Sequence, residues 1–168
     1  MAGNLEFIKS ATGSSVSSLS VTDCFSDKYD VYKIVINNVD ITGATSAFIR
    51  MLDSGGSEIS ASNYDRAFLG MFSNQAFAES RATNTTSFSS VGFYDASTGG
   101  GAVYYVYNPF SSSSYTFLQG QVSYFETSYS TGTKYIGVLK QSASMTGFNI
   151  NLTGQTFDSI DISVFGVK

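Results

Sequence analysis

The residues best suited to chemistry form an aromatic cluster in the middle of the chain. Tyr104, Tyr105 and Tyr107 are followed by Phe110, and aromatic rings provide platforms for sugar rings and for protein interfaces. In an extended strand, Tyr105 and Tyr107 point to one face and Tyr104 to the other. The cluster is therefore a candidate protein interface or glycan-binding surface. The alternative is core packing on both faces of a central strand.

A single cation interrupts an apolar segment earlier in the chain. Arg50 lies within residues 47–52, which otherwise read as a strand. A buried charge without a partner is costly, so this residue must pair with an acid or lie at an edge or an interface. We expect an edge or an interface, and Arg50 joins the candidate binding residues.

The sequence contains no histidine. This excludes Ser-His-Asp chemistry, imidazole metal sites and the commonest general base. Glycosidases that use two carboxylates remain, and they need the two groups about 5 to 10 Å apart. The candidate glutamates are Glu6, Glu58, Glu79 and Glu126. Nothing in the sequence brings any two of these together, so we expect no enzymatic activity and no cofactor.

Two further features could bind or react. Asp23, Asp27 and Asp30 are the oxygen-bearing residues that Ca²⁺ prefers, but their spacing matches no EF-hand, and we expect no metal site. Cys24 is the only cysteine, so it forms no intrachain disulfide. We interpret it as a buried free thiol, with a reactive nucleophile as the alternative.

Composition narrows the class of protein. The net charge is −4, and the nine basic residues are scattered, which argues against a nucleic-acid partner. No apolar stretch is long enough for a membrane span, and the first residues lack the pattern of a signal peptide. Charged residues reach only 13% while aromatic residues reach 15%. This balance, rich in Ser and Thr, is typical of an all-β protein rather than a helical one.

Period-two alternation and turn signals predict nine or ten short strands. Residues 31–36 form the strongest strand, and residues 64–72 are ambiguous between a strand and a short helical face. Residues 88–94 read as a strand closed by a turn at 97–101, and Gly120 reads as a bulge in the strand around it. We predict a single-domain antiparallel β-sandwich, jelly-roll-like, over residues 1–168.

Both ends of the sequence look strand-like. Ile160, Ile162 and Val164 alternate with polar residues almost to the last position. Because termini usually fray unless they are held, we expect this strand to be part of a sheet and the chain to be a complete β module. Residues 1–10 are our candidate N-terminal interaction segment.

Three stretches together resemble a known type of protein. They are DKYDVYKIVINNV at residues 27–39, FIRMLDSGG at residues 48–56 with Tyr64 after it, and IDISVFGVK at residues 160–168. These stretches resemble the small β-sandwich structural proteins of tailed bacteriophage virions, especially those of cyanobacterial and marine hosts. Such proteins act as capsid decoration (cement) proteins or as tail-fibre tips. The resemblance implies a jelly-roll-like fold and homotrimeric assembly, and it carries over no catalytic residue.

The expected function follows from this resemblance. We expect a phage virion structural protein, assembled in the host cytoplasm, that decorates and stabilises the capsid. Its expected partners are copies of itself, the major capsid protein and other virion proteins, with no nucleic acid and no membrane. The alternative is a tail-fibre or surface receptor-binding module, which would bind a host surface glycan through Tyr-rich loops.

Overall fold

The regular structure of this protein consists of antiparallel β-strands. The computed structural model describes residues 4–94, 96, 99–126 and 128–168, and in that part of the chain it contains eleven strands and no helix. Accordingly, these residues include no helix with the length and apolar character needed to cross a membrane. In chain order the strands are β1 (Leu5–Gly13), β2 (Ser18–Val21), β3 (Val31–Ile41), β4 (Phe48–Leu52), β5 (Tyr64–Phe72), β6 (Ala78–Thr85), β7 (Gly100–Tyr107), β8 (Thr116–Glu126), β9 (Tyr129–Leu139), β10 (Gly147–Asn151) and β11 (Phe157–Val167).

The strands form two sheets of unequal size. The large sheet has eight strands in the order β1-β11-β3-β7-β8-β9-β5-β6, and the small sheet has three in the order β2-β10-β4. The last strand of the chain pairs with both β1 and β3. The expectation that the closing strand is part of a sheet is therefore confirmed.

Period-two alternation gives the large sheet two different faces. In β8, Leu118 and Val122 are buried, whereas Phe117 and Gln121 on the same strand are exposed. Successive side chains of a strand point to opposite sides, so the buried set faces the small sheet and the other set faces away. We call these the inner face and the outer face of the large sheet.

One hydrophobic core lies between the two sheets. Ile34 and Ile162 of the large sheet and Ile49 and Ile150 of the small sheet belong to the same buried cluster, and each is at most 1% exposed. Burying an aliphatic side chain of this size contributes about 1.5–3 kcal/mol, before the entropic cost of ordering it. The predicted all-β antiparallel sandwich is confirmed, and the described residues form eleven strands instead of nine or ten.

The predicted strand at residues 88–94 is wrong. Only Phe88 forms an isolated bridge, to Ile49, and Gly92 and Phe93 have φ values of 114° and 63°. Positive φ values interrupt an extended backbone, because the chain turns at each of them. The segment lies beside β4 as an irregular extension of the small sheet.

Tyrosines from the large sheet hold this irregular segment in place. The Tyr135 hydroxyl donates to the Ser89 carbonyl at 3.1 Å, and the Tyr104 hydroxyl donates to the Val91 carbonyl. A buried carbonyl outside regular structure needs such a donor, because an unpaired one costs about 1–3 kcal/mol. The tyrosines therefore replace the ladder hydrogen bonds that a strand would supply.

Gly120 is not in a bulge. It pairs in unbroken register with Tyr104 on one side and Tyr135 on the other. A Cβ at this position would lie 2.1 Å from Cδ1 of Tyr104. The prediction is therefore wrong, and the glycine is needed because the buried Tyr104 ring occupies the space of its missing side chain.

Other local expectations have mixed outcomes. Residues 64–72 form β5, which settles the helix-or-strand ambiguity in favour of the strand. β6 was not predicted, because its sequence AESRATNT is polar and lacks a clear alternation. In the turn predicted at 97–101, residues 97 and 98 lie outside the described residues, and β7 already begins at Gly100.

The N-terminal segment is part of the large sheet. Of residues 1–10, the first three lie outside the described residues, and Leu5 begins β1. β1 pairs with β11 over its whole length, and a bulge lies between Phe7 and Lys9. The segment that was expected to reach a neighbour is therefore an edge strand of this chain's own sheet.

Candidate functional site

One row of directly paired residues crosses the entire outer face of the large sheet. From β1 to β6 the row consists of Phe7, Phe165, Lys33, Tyr105, Gln119, Ile136, Ala67 and Arg81. Residues paired across neighbouring strands lie on the same face, with Cβ atoms about 4.5–5.5 Å apart. Residues that are far apart in sequence therefore form one continuous surface.

Among the described residues, this outer face carries most of the exposed large apolar side chains. Of the ten large apolar side chains that are exposed in the described chain, seven lie on it: Leu5, Phe7, Leu69, Met71, Phe117, Phe125 and Ile136. Phe7 is 58% exposed and Ile136 is 56% exposed. Scattered apolar residues on a surface are ordinary, but their concentration on one sheet face marks an interaction surface.

The outer face is broad and shallow. It contains a depression of about 370 Å³ lined by Phe117, Ile136 and Ala67 among others. A second, open depression of about 620 Å³ lies beside Val103 and Met71. Small-molecule sites are concave and enclose most of their ligand. The shallow shape of the outer face instead suits contact with another macromolecule.

Charges on the outer face are few and of both signs. Lys33, Lys134 and Arg81 are interspersed with Asp65, whose carboxylate lies 2.8 Å from Nζ of Lys140. The hydrogen bond from Lys140 lowers the pKa of Asp65, and a backbone hydrogen bond from Asn84 adds to the effect. Mixed, partly paired charges create no strong single-sign field, so attraction through this face depends on apolar contact.

The structure divides the predicted aromatic cluster. Tyr105 and Tyr107 lie on the outer face, half-buried, and Tyr107 pairs with Phe117 of β8. Tyr104 is fully buried on the inner face, so it does not belong to a binding surface, although its predicted alternation with Tyr105 is confirmed. Phe110 lies half-buried in the turn after β7, where its carbonyl accepts from the Ser144 hydroxyl at 2.8 Å.

Arg50 lies on the other side of the molecule, in β4 at an edge of the small sheet. Its Nη1 is 2.9 Å from Oε2 of Glu58, and its Nε donates to the Thr86 carbonyl at 3.1 Å. The guanidinium also packs 5.1 Å from the centre of the Phe48 ring. The expected position of Arg50 at a sheet edge is confirmed. Arg50 also has an acid partner, Glu58, which was the other option that the sequence left open. Arg50 and the tyrosines form two separate surfaces.

Sequence reasoning missed most of the outer face. Phe7, Phe165, Phe117 and Ile136 were not singled out, because they lie on four different strands and only strand pairing brings them onto one surface. The available signal was that β8 carries apolar residues at both odd and even positions, as in Phe117 and Leu118. A strand with one solvent-facing side should be polar on that side.

Two of the four candidate glutamates form ion pairs with basic side chains. In the described parts of the chain, no group of three or more His, Cys, Asp or Glu side chains could hold a metal ion. Glu6 binds Lys28 and the Tyr29 hydroxyl, each at 2.5 Å, while Glu58 binds Arg50. These two glutamates therefore act in structural contacts.

Cys24 is a buried thiol, as interpreted from the sequence. It is 2% exposed, and its Sγ lies 3.5 Å from the Val21 carbonyl. Burial raises the pKa of the thiol to about 12. The reactive species of cysteine is the thiolate, so the alternative of a reactive nucleophile is wrong.

Two comparisons with known proteins give no relative of this chain. A scan against protein-family models finds no match for the chain, and a search of the curated proteins finds no significant match. The function of this chain must therefore be inferred from the surfaces of the molecule.

Proposed function

We propose that this chain is a non-enzymatic structural protein that assembles with copies of itself through the outer face of its large sheet. The observation that carries the proposal is the concentration of seven exposed, large apolar side chains on this one face. Leaving them in water is unfavourable by about 25 cal/mol for each Å² of apolar area. A second copy of the chain would cover them.

The dimensions of the face suit a stable interface. Eight strands spaced about 4.8 Å apart span roughly 34 Å. Each strand has at least eight residues, which at about 3.3 Å per residue gives a length of roughly 26 Å. The product is roughly 900 Å², and a standard interface buries about 800 Å² on each partner.

The character of the face favours a copy of the same chain as the partner. Phe7, Tyr105, Phe117 and Ile136 provide aromatic and aliphatic contacts, and the interspersed charges have both signs. A surface with both signs can complement itself when two copies meet through a symmetry axis. Face-to-face contact of this kind gives a two-fold dimer, and the measured mass distinguishes it from the homotrimer that the resemblance to phage structural proteins implies.

A virion is the proposed setting for this assembly. The resemblance of residues 27–39, 48–56 and 160–168 to phage proteins supports a capsid decoration role, in which the oligomer binds the major capsid protein. Cryo-electron microscopy of purified virions tests the setting. Many copies on the head support decoration, whereas a few copies on the tail, or absence from the particle, contradict it.

Light scattering on the purified chain tests the self-association. We expect a mass of at least twice 18.0 kDa at micromolar concentration. The double substitution Phe117→Lys with Ile136→Lys introduces two cations into the centre of the face, and we expect a monomer. Phe77→Lys is the matched control, because Phe77 is 68% exposed in the β5–β6 connection and lies outside the outer face.

The outcomes separate the proposal from a general effect of added charge. Dissociation by the double substitution but not by Phe77→Lys supports assembly through the outer face. A wild-type monomer, or equal dissociation by both variants, contradicts it.

A further inference from the structure

A groove opens on the inner face of the large sheet, separate from the outer face. It lies between β5, β8 and β9 on one side and residues 90–94 on the other, with a volume of about 310 Å³. This volume is at the lower end of the range of ligand sites, about 300–1,000 Å³. The groove is smaller than the two outer-face depressions but more enclosed, and it can hold a small ligand or one unit of a polymer.

Strand register brings together the groove residues that belong to the large sheet. Thr131 of β9 pairs with Tyr124 of β8 on one side and with Phe72 of β5 on the other. Tyr129 pairs with Glu126 in the same two strands. All five lie on the inner face and line the groove.

Aromatic rings form the walls of the groove. The Phe72 and Tyr129 rings meet edge to face, with centroids 6.3 Å apart and an angle of 63° between planes. Phe68 continues this wall, and Tyr94, at 43% exposure, forms the opposite rim. The face of an aromatic ring is electronegative and attracts weakly positive C–H groups.

The floor of the groove is polar. The Thr131 hydroxyl donates to Oε2 of Glu126 at 3.3 Å. Tyr124 hydrogen-bonds with Thr131 and with the backbone of Tyr94. Burial, with the Glu126 charge nearby, raises the pKa of Tyr124 to about 12, so its hydroxyl remains a neutral donor and acceptor. A carboxylate and several hydroxyls therefore lie between aromatic walls.

The segment that forms the rim is held in an unusual conformation. Ser90, Gly92 and Phe93 all have positive φ, and the buried Phe93 ring packs 6.3 Å from the Tyr124 ring. A Cβ at Gly92 would lie 2.9 Å from the side chain of Val122. Strained backbone of this kind persists only where packing holds it, and it often occurs at binding sites. Here the backbone conformation of residues 90–93 sets the position of Tyr94.

We infer that this groove binds a saccharide. A pyranose ring has a C–H face that packs against aromatic rings and hydroxyls at its rim that bond to a carboxylate and to side-chain hydroxyls. A purely apolar ligand would bury Glu126 without new partners, which is costly. An anionic ligand would be repelled by the same carboxylate.

For this groove we propose binding alone and no hydrolysis. Among the described residues that line it, Glu126 is the one acid, whereas glycosidases generally use two carboxyl groups. This inference goes beyond self-association and does not depend on it, because the groove and the outer face lie on opposite sides of the large sheet.

A glycan array followed by titration tests the inference. The labelled full chain is applied to an array of bacterial and algal cell-surface polysaccharides, and the retained glycan is then titrated by calorimetry. We expect selective retention of a small subset. We expect Glu126→Gln, which keeps the side-chain shape, and Tyr94→Ala each to weaken binding at least tenfold.

Tyr115→Ala provides the matched control. Tyr115 is 46% exposed, close to the value for Tyr94, but does not line the groove. We expect this variant to bind like the wild type, and circular dichroism verifies that all three variants are folded. No selective retention by the wild type, or unchanged affinity in both folded groove variants, would overturn the inference.

The monomeric outer-face variant separates this inference from the proposed function. If Phe117→Lys with Ile136→Lys dissociates the oligomer and leaves the affinity per subunit for the retained glycan unchanged, both proposals stand. If the wild type is a monomer that binds the glycan, the groove inference stands and self-association fails. If the wild type assembles but retains no glycan, only the groove inference fails.

Discussion

At the scale of single residues, tyrosine supplies this protein with buried hydrogen-bond donors. The sequence singled out Tyr104, Tyr105 and Tyr107 as a candidate binding surface, with core packing as the alternative. Tyr64, Tyr104 and Tyr135 are instead fully buried, and each hydroxyl donates to a backbone carbonyl. A tyrosine fills core volume like phenylalanine and also satisfies a carbonyl that no strand partner reaches. The irregular connections can therefore be buried beside the sheets.

Tyr64 offers the clearest test of this role. Its hydroxyl donates to the Ile59 carbonyl at 2.8 Å and accepts from the Met51 N–H at 3.2 Å. Tyr64→Phe leaves both backbone groups without this partner, and we expect the free energy of unfolding to fall by about 1–3 kcal/mol. Urea denaturation measures the change.

Tyr115→Phe is the control for the loss of a hydroxyl, because Tyr115 is exposed. Its effect should stay within about 0.5 kcal/mol, as for most surface substitutions. A similarly small effect of Tyr64→Phe would show that water replaces the lost contacts and would contradict the proposed role.

At the scale of elements, the first and last strands are joined by a charge cluster. Glu6 of β1 binds Lys28 and Tyr29 before β3, and its Oε2 lies 3.3 Å from Nζ of Lys168, just after β11. Three segments that are adjacent in the large sheet therefore converge on one carboxylate. Together with the bulge between Phe7 and Lys9, a charged side chain on β1 also disfavours uncontrolled edge-to-edge pairing.

The cluster predicts an acid-dependent weakening of β1. Hydrogen bonds from Lys28, then from Tyr29 and Lys168, lower the pKa of Glu6 from 4.5 to about 2. A lowered pKa stabilises the fold fully above about pH 4.5, and this contribution is lost as the pH falls towards about 2. We expect Glu6→Gln to speed hydrogen exchange of the β1 amides at pH 7 and to have no effect near pH 2.

Glu79→Gln is the control for this experiment, because Glu79 lies exposed on β6 at the opposite edge of the sheet. It should leave β1 exchange unchanged at both pH values. Equal effects of Glu6→Gln at neutral and acid pH would mean that the carboxylate charge does not hold β1.

At the scale of the whole molecule, the unequal sheets produce two surfaces. The small sheet has three strands and covers the inner face of an eight-stranded sheet with the help of irregular segments. The outer face has no covering layer within the described chain. A groove remains where residues 90–94 meet β5, β8 and β9. One side of the large sheet is thus available for assembly and the other for a ligand.

Assembly through an apolar face has a characteristic response to salt and concentration. Salt at 1 M reduces the Debye length to about 3 Å and screens exposed ion pairs. The oligomer should therefore keep its mass in 1 M NaCl, and its melting temperature should rise with protein concentration. Sedimentation and thermal scans measure both. Dissociation in salt would indicate a charged interface elsewhere.

Much of the fold was predictable because strand signals are local. The alternation of Ile160, Ile162 and Val164 and the apolar run at 31–36 identified strands that the structure contains. The opposite orientation of Tyr104 and Tyr105 followed from the same period of two. The polar β6 and the irregular residues 88–94 were missed, because pairing partners and tyrosine hydrogen bonds determine them, and neither is a local property of the sequence.

The sequence by itself determined the class of fold, most strands, the buried thiol and the absence of histidine chemistry. Only the tertiary structure decided that Phe7, Tyr105 and Ile136 share one surface, and that Phe72 and Glu126 share a groove. The physical reason is that the faces of a strand depend on neighbouring residues, whereas a surface across a sheet depends on strand order and register. Those are fixed by pairings between segments as distant in sequence as β1 and β11.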